Sequence, residues 1–239
     1  SGEYVALARR MAMKAGYGTP ECVGPIAPEN SLAAFAAACE AGYGIELDIQ
    51  LTMDGQVVVA HDETLMRVAG DPRRICDLTY DELTRTPLYP TPSRPGCEPV
   101  RNAVEAPGLV VTPAKPPLGY YQHVPLFSDV LKVVAGRVPL IVEYKIDGSD
   151  WTPRCEELME KGDALLQAYA GPYVVESFHP MAMRWYREHR PEVCRGQLIE
   201  PLPLGQTDVT YWAAGRLLFN WLSRPDFVAC DWRSGGSPQ

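Results

Sequence analysis

The chain has 239 residues, 46% hydrophobic and 22% charged. That composition suits one sizeable core and excludes a largely disordered chain. A formal net charge of −8 argues against a nucleic-acid partner, which wants a basic face. No apolar run reaches the roughly 18 residues that span a bilayer, and the N-terminal stretch lacks the charge-then-apolar order of a secretory signal. The seven cysteines are scattered with no C-x-x-C pair, so reduced thiols in a cytoplasmic protein are expected.

In chain order, "PENSLAAFAAACEAGYG" predicts a helix with Asn30 or Ser31 as its cap, an apolar stripe at Leu32, Phe35, Ala36 and Cys39, and a stop at Gly42. A strand follows at Ile45–Leu51 and a second at Val57–His61. "LTYDELTRTP" reads as a short helix capped by Thr79. Ten prolines between Pro87 and Pro125 mark a proline-rich insertion over 87–125 rather than regular structure. Beyond it come a helix ending at Gly136, a strand in "VPLIVEYK", a helix over 156–170, a strand in "YVVESF", a helix over 180–189, a strand in "CRGQLI", a helix over 211–222 and a strand in "DFVAC". Strand and helix alternate from Val138 onward, which predicts an α/β fold with parallel strands within a single domain over 1–239.

In the first strand Ile45, Leu47, Ile49 and Leu51 alternate with Glu46, Asp48 and Gln50, so both acids share one face. That pattern suits a plain amphipathic strand with a wet face. The neighbouring residues suit something more. Asp54-Gly55 is a two-residue hairpin signal. With its centre there, Asp48 faces His61 and Glu46 faces Glu63 across an antiparallel pair. Carboxylates crowded in this way are costly without a cation, and oxygen ligands suit Mg²⁺ or Ca²⁺. In "PLIVEYK" a third acid, Glu143, shares its face with Lys145. Those two residues either pair with each other or handle an anion near a metal.

The order "PEN…AF…A…GYGIELDIQLTMDGQVVVAHDETLMR", continued by "VPLFSDVL", "PLIVEYK", "ESFHP" and "RGQL", resembles the glycerophosphodiester phosphodiesterase family. The resemblance runs from about Pro28 to Asp231, the proline-rich insertion excepted. It implies a TIM-type (βα)₈ barrel with its site at the C-terminal strand ends. It also implies a divalent cation, Mg²⁺ or Ca²⁺, held by Glu46, Asp48 and Glu143. His61 then matches the second catalytic histidine, and Lys145 a basic residue near the phosphate. The implied reaction hydrolyses small-molecule glycerophosphodiesters to glycerol 3-phosphate and an alcohol.

Two departures stand out. The family opens with a strand ending in His-Arg-Gly, whereas this chain has no histidine before His61. In "MAMKAG", Met13 stands where the first histidine belongs and Lys14 where the arginine belongs. A thioether cannot carry a proton, so weakened chemistry is expected, with His179 as a conceivable substitute. A catalytically inactive relative that binds phosphodiesters, or an interaction protein, is the alternative. The second departure is in the strand count: about six barrel strands, ending near Ala12–Lys14, Asp48, Lys145, Phe178, Ile199 and Cys230, with Val57–His61 as an extra return strand. A barrel incomplete at its C-terminus leaves open edges and predicts self-association through them.

Overall fold

A computed structural model describes residues 28–88, 122–146, 148, 150–199 and 220–230. Its frame is a six-stranded sheet. The strands are β1 (Ile45–Leu51), β2 (Val57–Val59), β3 (Leu140–Tyr144), β4 (Tyr173–Ser177), β5 (Arg195–Ile199) and β6 (Phe227–Cys230), in the spatial order β2-β1-β3-β4-β5-β6. All neighbours are parallel except β2, which returns antiparallel to β1. Of the expected barrel strands, five are thus present among the described residues together with the return strand. The strand expected at Ala12–Lys14 lies outside them. The helix expected over 211–222 falls within them only as a short turn, Asn220–Ser223.

Local signals set most element ends. Helix α1 (Leu32–Ala41) starts at Ser31, whose Oγ accepts from Ala34 N–H. It stops at Gly42, where φ is +76° and a side chain would be strained. Two short helices follow β2: α2 (Met66–Ala69) and α3 (Tyr80–Thr84). The second is closed by a capping box in which Thr79 and Glu82 bond reciprocally. Helix α4 (Phe127–Val134) precedes β3. Helix α5 (Pro153–Gln167) starts three residues earlier than the sequence suggested, because Thr152 caps it and Pro153 takes the first turn, where no N–H is needed. Helix α6 (Pro180–His189) matches its expectation.

The alternation in β1 carries through the sheet. Ile45, Leu47, Ile49 and Leu51 join Leu140, Val142 and Tyr144 of β3 and Val175 of β4 in one core. That core is roofed by Phe35 of α1, Phe127 and Val130 of α4, Met159 and Leu166 of α5, and Tyr186 of α6. Leu47, Ile49, Val142 and Tyr144 are completely buried, each apolar side chain contributing roughly 1.5–3 kcal/mol. The Tyr144 and Tyr186 hydroxyls bond each other at 2.6 Å inside that layer, so neither is left unpartnered. With one face consumed by the helices, the other face of β1, β3 and β4 gathers the acids.

The hairpin differs from its expectation. The pairs are Ile49–Val59, Gln50–Val58 and Leu51–Val57, one residue out of the expected register. The loop has three residues, not two. Gly55 N–H donates to Thr52 C=O at 2.9 Å, Thr52 N–H donates to Gln56 C=O at 3.0 Å, and Gly55 sits at φ +71°. That is a turn followed by a left-handed glycine, the commonest three-residue hairpin. The opposed pairs Asp48–His61 and Glu46–Glu63 therefore do not form. Ala60 N–H donates to Asp48 C=O instead, β2 ends at Val59, and Glu63 pairs with Arg74.

A second, smaller core gathers Val58 and Ala60 with Leu65, Ile75, Leu83, Leu88 and Val124. At its rim Leu88 N–H donates to Gln122 C=O at 2.9 Å. Residues 88 and 122 therefore meet, while residues 89–121, the bulk of the proline-rich stretch, lie outside the described residues.

Candidate active site

The register places Asp48 beside Glu143 and Glu143 beside Glu176, a row of three acids across β1, β3 and β4. Glu46 stands two residues before Asp48, on the same face of β1. One carboxylate oxygen from each of Glu46, Asp48 and Glu143 lies within 4.8 Å of the other two. Asp48 and Glu143 are buried and Glu46 is exposed at the mouth. Lys145, just past the end of β3, reaches back between them. Its Nζ lies 2.8 Å from Glu143 Oε1 and 2.9 Å from Asp48 Oδ1, and 6.0 Å from the Phe178 ring centre.

The electrostatics follow from this crowding. Partial desolvation of its carboxyl pushes Glu46 up to about 7, and the nearby charges of Asp48, Glu143 and Glu176 push the same way. Glu143 also rises to about 7, burial outweighing the hydrogen bond from Lys145. Burial and the Asp48 charge raise Glu176 as well. Burial works against the Lys145 ammonium, but its bond to Glu143 and the charges of Asp48 and Glu143 win, and its pKa ends raised. Among the described residues a single ammonium thus offsets four carboxylates.

The arrangement fits a hard divalent cation. The donors are all carboxylate oxygens. A cation bonded at 2.0–2.6 Å reaches oxygens up to about 4–5 Å apart. Asp48 Oδ1 is shut off from solvent and accepts no well-directed hydrogen bond among the described residues, although Lys145 pairs with it. A carboxylate oxygen carries more than one lone pair, so a bound cation would share it with Lys145.

His61 follows β2 on a loop seated against β1. Gln50, on the face of Asp48, donates from Nε2 to the carbonyls of Ala60 at 2.7 Å, His61 at 3.3 Å and Asp62 at 3.0 Å. The imidazole side chain is 55% exposed, and its Nδ1 lies 2.6 Å from Asp62 Oδ1. Lys14, with Met13, lies outside the described residues. His179 caps α6, its Nδ1 accepting from Met181 N–H at 3.2 Å, with its ring centre 5.5 Å from that of Trp151. That is the structural role a histidine before a helix commonly has.

Glu176 and Asp62 are the residues that sequence reasoning missed. The signal for Glu176 is an acid breaking the apolar run of "YVVESF" at the position that pairs with Glu143. The signal for Asp62 is its place directly after His61.

The family model described as "Glycerophosphoryl diester phosphodiesterase family" matches residues 23–220, a span that begins after Met13 and Lys14. A glycerophosphodiester phosphodiesterase from Bacillus altitudinis is 29% identical over 168 residues, covering 70% of this chain and 59% of the relative. One from Caldanaerobacter subterraneus is 49% identical over 59 residues, 24% of each chain. The chain thus spans less than two thirds of the length of these relatives. Among solved structures, an Oleispira antarctica phosphodiesterase in complex with the product sn-glycerol-3-phosphate superposes with a TM-score of 0.59 at 20% identity, covering 85% of this chain and 70% of that one. At that identity the likeness concerns the fold. The sheet of mostly parallel strands is an α/β arrangement of the TIM-barrel type seen in such structures.

Proposed function

The chain belongs to the glycerophosphoryl diester phosphodiesterase family, and on that premise we propose that it hydrolyses small glycerophosphodiesters to glycerol 3-phosphate and an alcohol, using Mg²⁺ or Ca²⁺. The observation that carries this reading is the convergence of Glu46, Asp48 and Glu143 on one point. Those three carboxylates would hold the cation, which when bound offsets charge on the phosphoryl oxygens. Lys145, fixed by Asp48 and Glu143, adds a positive charge beside the same oxygens. His61, with its ring open to solvent, exchanges a proton with the attacking or leaving oxygen. Phe178, 44% exposed beside Lys145, offers an apolar wall to the organic part of the substrate.

Glycerophosphocholine, incubated with the chain in millimolar Mg²⁺ or Ca²⁺, should yield glycerol 3-phosphate. A chelator should abolish the reaction, as should Glu143→Gln. Product formation that ignores the chelator would remove the metal from the reading.

A second reading rests on the missing histidine before His61. On that reading the chain binds phosphodiesters in a metal-dependent way without turning them over. Calorimetric binding of glycerophosphocholine with no product after long incubation selects it. No helix among the described residues is long and apolar enough to cross a membrane; a cytoplasmic setting is part of the proposal and rests on the scattered cysteines. Self-association belongs to the same proposal. The outer strands of the described sheet are β2 and β6; Val58 of β2 bridges Leu126 and Val59 N–H donates to Pro125 C=O, so among the described residues the outer edge of β6 is the one left as a template for pairing. Light scattering should show a species heavier than 26.4 kDa, and a concentration-independent monomer would end this part of the proposal.

A further inference from the structure

Behind His61 runs a line of side chains that the proposed chemistry uses only at its first member. Asp62 Oδ1 lies 2.6 Å from His61 Nδ1. Both Asp62 oxygens accept from Arg67, Oδ2 from Nε at 2.7 Å and Oδ1 from Nη2 at 3.1 Å. The other edge of the same guanidinium donates to both oxygens of Glu29, at 2.5 and 2.6 Å. Arg67 belongs to α2, and Glu29 lies just ahead of α1. A planar group bonded bidentately on two edges cannot pivot without losing a pair of charge-assisted bonds. The loop is thus tethered twice, its backbone to β1 through Gln50 and its Asp62 side chain to the α1 entrance through Arg67.

Stability alone does not explain this line. The side chains of Asp62, Arg67 and Glu29 are 28–35% exposed, and such pairs contribute roughly 0.2–1 kcal/mol each. What the double fork supplies is direction. Burial raises the Asp62 pKa, but the bonds from Arg67 and His61 outweigh it and leave the carboxyl lowered. An ionised carboxylate can only accept, so His61 Nδ1 must carry its proton. In the neutral ring the lone pair then sits on Nε2, which has no hydrogen bond among the described residues.

We propose that Asp62 is a positioning residue that holds His61 in the Nδ1–H tautomer with a bare Nε2, and that Arg67, clamped to Glu29, holds Asp62 in place. The consequence for turnover rests on the reading of His61 as the proton-transfer group. The tautomer itself does not depend on that reading.

The test is long-range ¹H–¹⁵N NMR of the full chain with ¹⁵N-labelled histidine. The sequence has four histidines, and His61→Gln identifies the signal of interest. The wild-type neutral ring should show a protonated Nδ1 and a bare Nε2. In Asp62→Asn the amide oxygen should stay on Arg67 Nε–H, which turns the NH₂ group toward Nδ1 and makes that nitrogen an acceptor. The ring should therefore switch to the Nε2–H form. Arg67→Lys removes both forks and should leave a mixture of tautomers.

A wild-type ring in the Nε2–H form overturns the proposal even if neither variant folds. Retention of Nδ1–H in folded Asp62→Asn also overturns it, and an unchanged tautomer in Arg67→Lys overturns the part assigned to Arg67. Glycerophosphocholine turnover, read alongside, should fall on the order of 10²-fold or more in Asp62→Asn with KM little changed. A shifted tautomer with full turnover overturns the positioning role. A shifted tautomer in a chain whose wild type never turns over leaves the positioning in place and removes the hydrolytic reading instead.

Discussion

Millimolar Mg²⁺ or Ca²⁺ should raise the melting temperature of the wild-type chain, and Asp48→Asn should abolish the rise. The cause is the ratio, among the described residues, of four carboxylates to one ammonium at the strand ends. A cation that binds only the folded chain stabilises it by mass action, about 2.7 kcal/mol when its concentration is 100 times its dissociation constant. For a chain of this size that is on the order of 5–10 °C. Asp48→Asn keeps the shape of the side chain and removes the buried oxygen charge that Lys145 alone does not satisfy.

The sign of the pH dependence follows from the raised carboxyls. Glu46 and Glu143 bind protons up to about pH 7, whereas an unperturbed glutamate ionises near 4.3. A folded pKa above the unfolded one makes ionisation costly in the folded chain. Stability of the metal-free chain is therefore lost as pH rises through about 7, and a cation recovers it where the groups are ionised. The metal-induced rise should be larger at pH 8 than at pH 6. Differential scanning calorimetry at low ionic strength, with and without chelator, reads both effects. Equal curves with and without metal at pH 8 would sink the ligand assignment.

Placing a histidine at Met13, where the family resemblance expects one, should give the second large effect. With Met13→His and Lys14→Arg together, hydrolysis of glycerophosphocholine should rise by roughly 10²–10⁴-fold, the contribution of one general acid–base group. An aryl ester of glycerol phosphate gains much less, because its leaving group departs without a proton. Arginine adds the bidentate fork that lysine lacks. His61→Ala in the doubly substituted chain removes the gain. Steady-state rates on the two substrates distinguish these outcomes. A wild-type chain already as fast as the double variant would show that "MAMKAG" is not the family's first strand end and would make His179 the next residue to replace.

Much of the frame was legible in the sequence because its signals are local. Ser31 and Gly42 bound α1, Thr79 and Glu82 bound α3, and strict alternation gave β1 its full length. The acids of β1 and β3 were legible for the same reason, since a period of two fixes the face of Glu46, Asp48 and Glu143 whatever the partner strand. The hairpin register was not. Asp54-Gly55 fits both a two-residue turn and the last two positions of a three-residue loop. The choice is made by Thr52, whose N–H donates to Gln56 C=O while its hydroxyl bonds Asp54 at 2.6 Å. That single residue of slip moves His61 off the ladder. Glu176 escaped notice because its place in the acidic row depends on how β3 and β4 align, and sequence does not show strand alignment. The Arg67–Glu29 clamp joins residues 38 apart in the chain and has no local pattern at all.

The bond between Leu88 N–H and Gln122 C=O has a bearing on how this chain can vary. Gln122 also reaches α1, its Oε1 accepting from Ala33 N–H at 3.1 Å, so the point of return is anchored independently of what comes before it. A segment whose entry and exit are pinned together imposes almost no length requirement on the frame. The stretch over 89–121 is thus a place where residues can be gained or lost over generations while β1, β3 and their acids keep their positions. Relatives that share those acids need not share its length or its prolines.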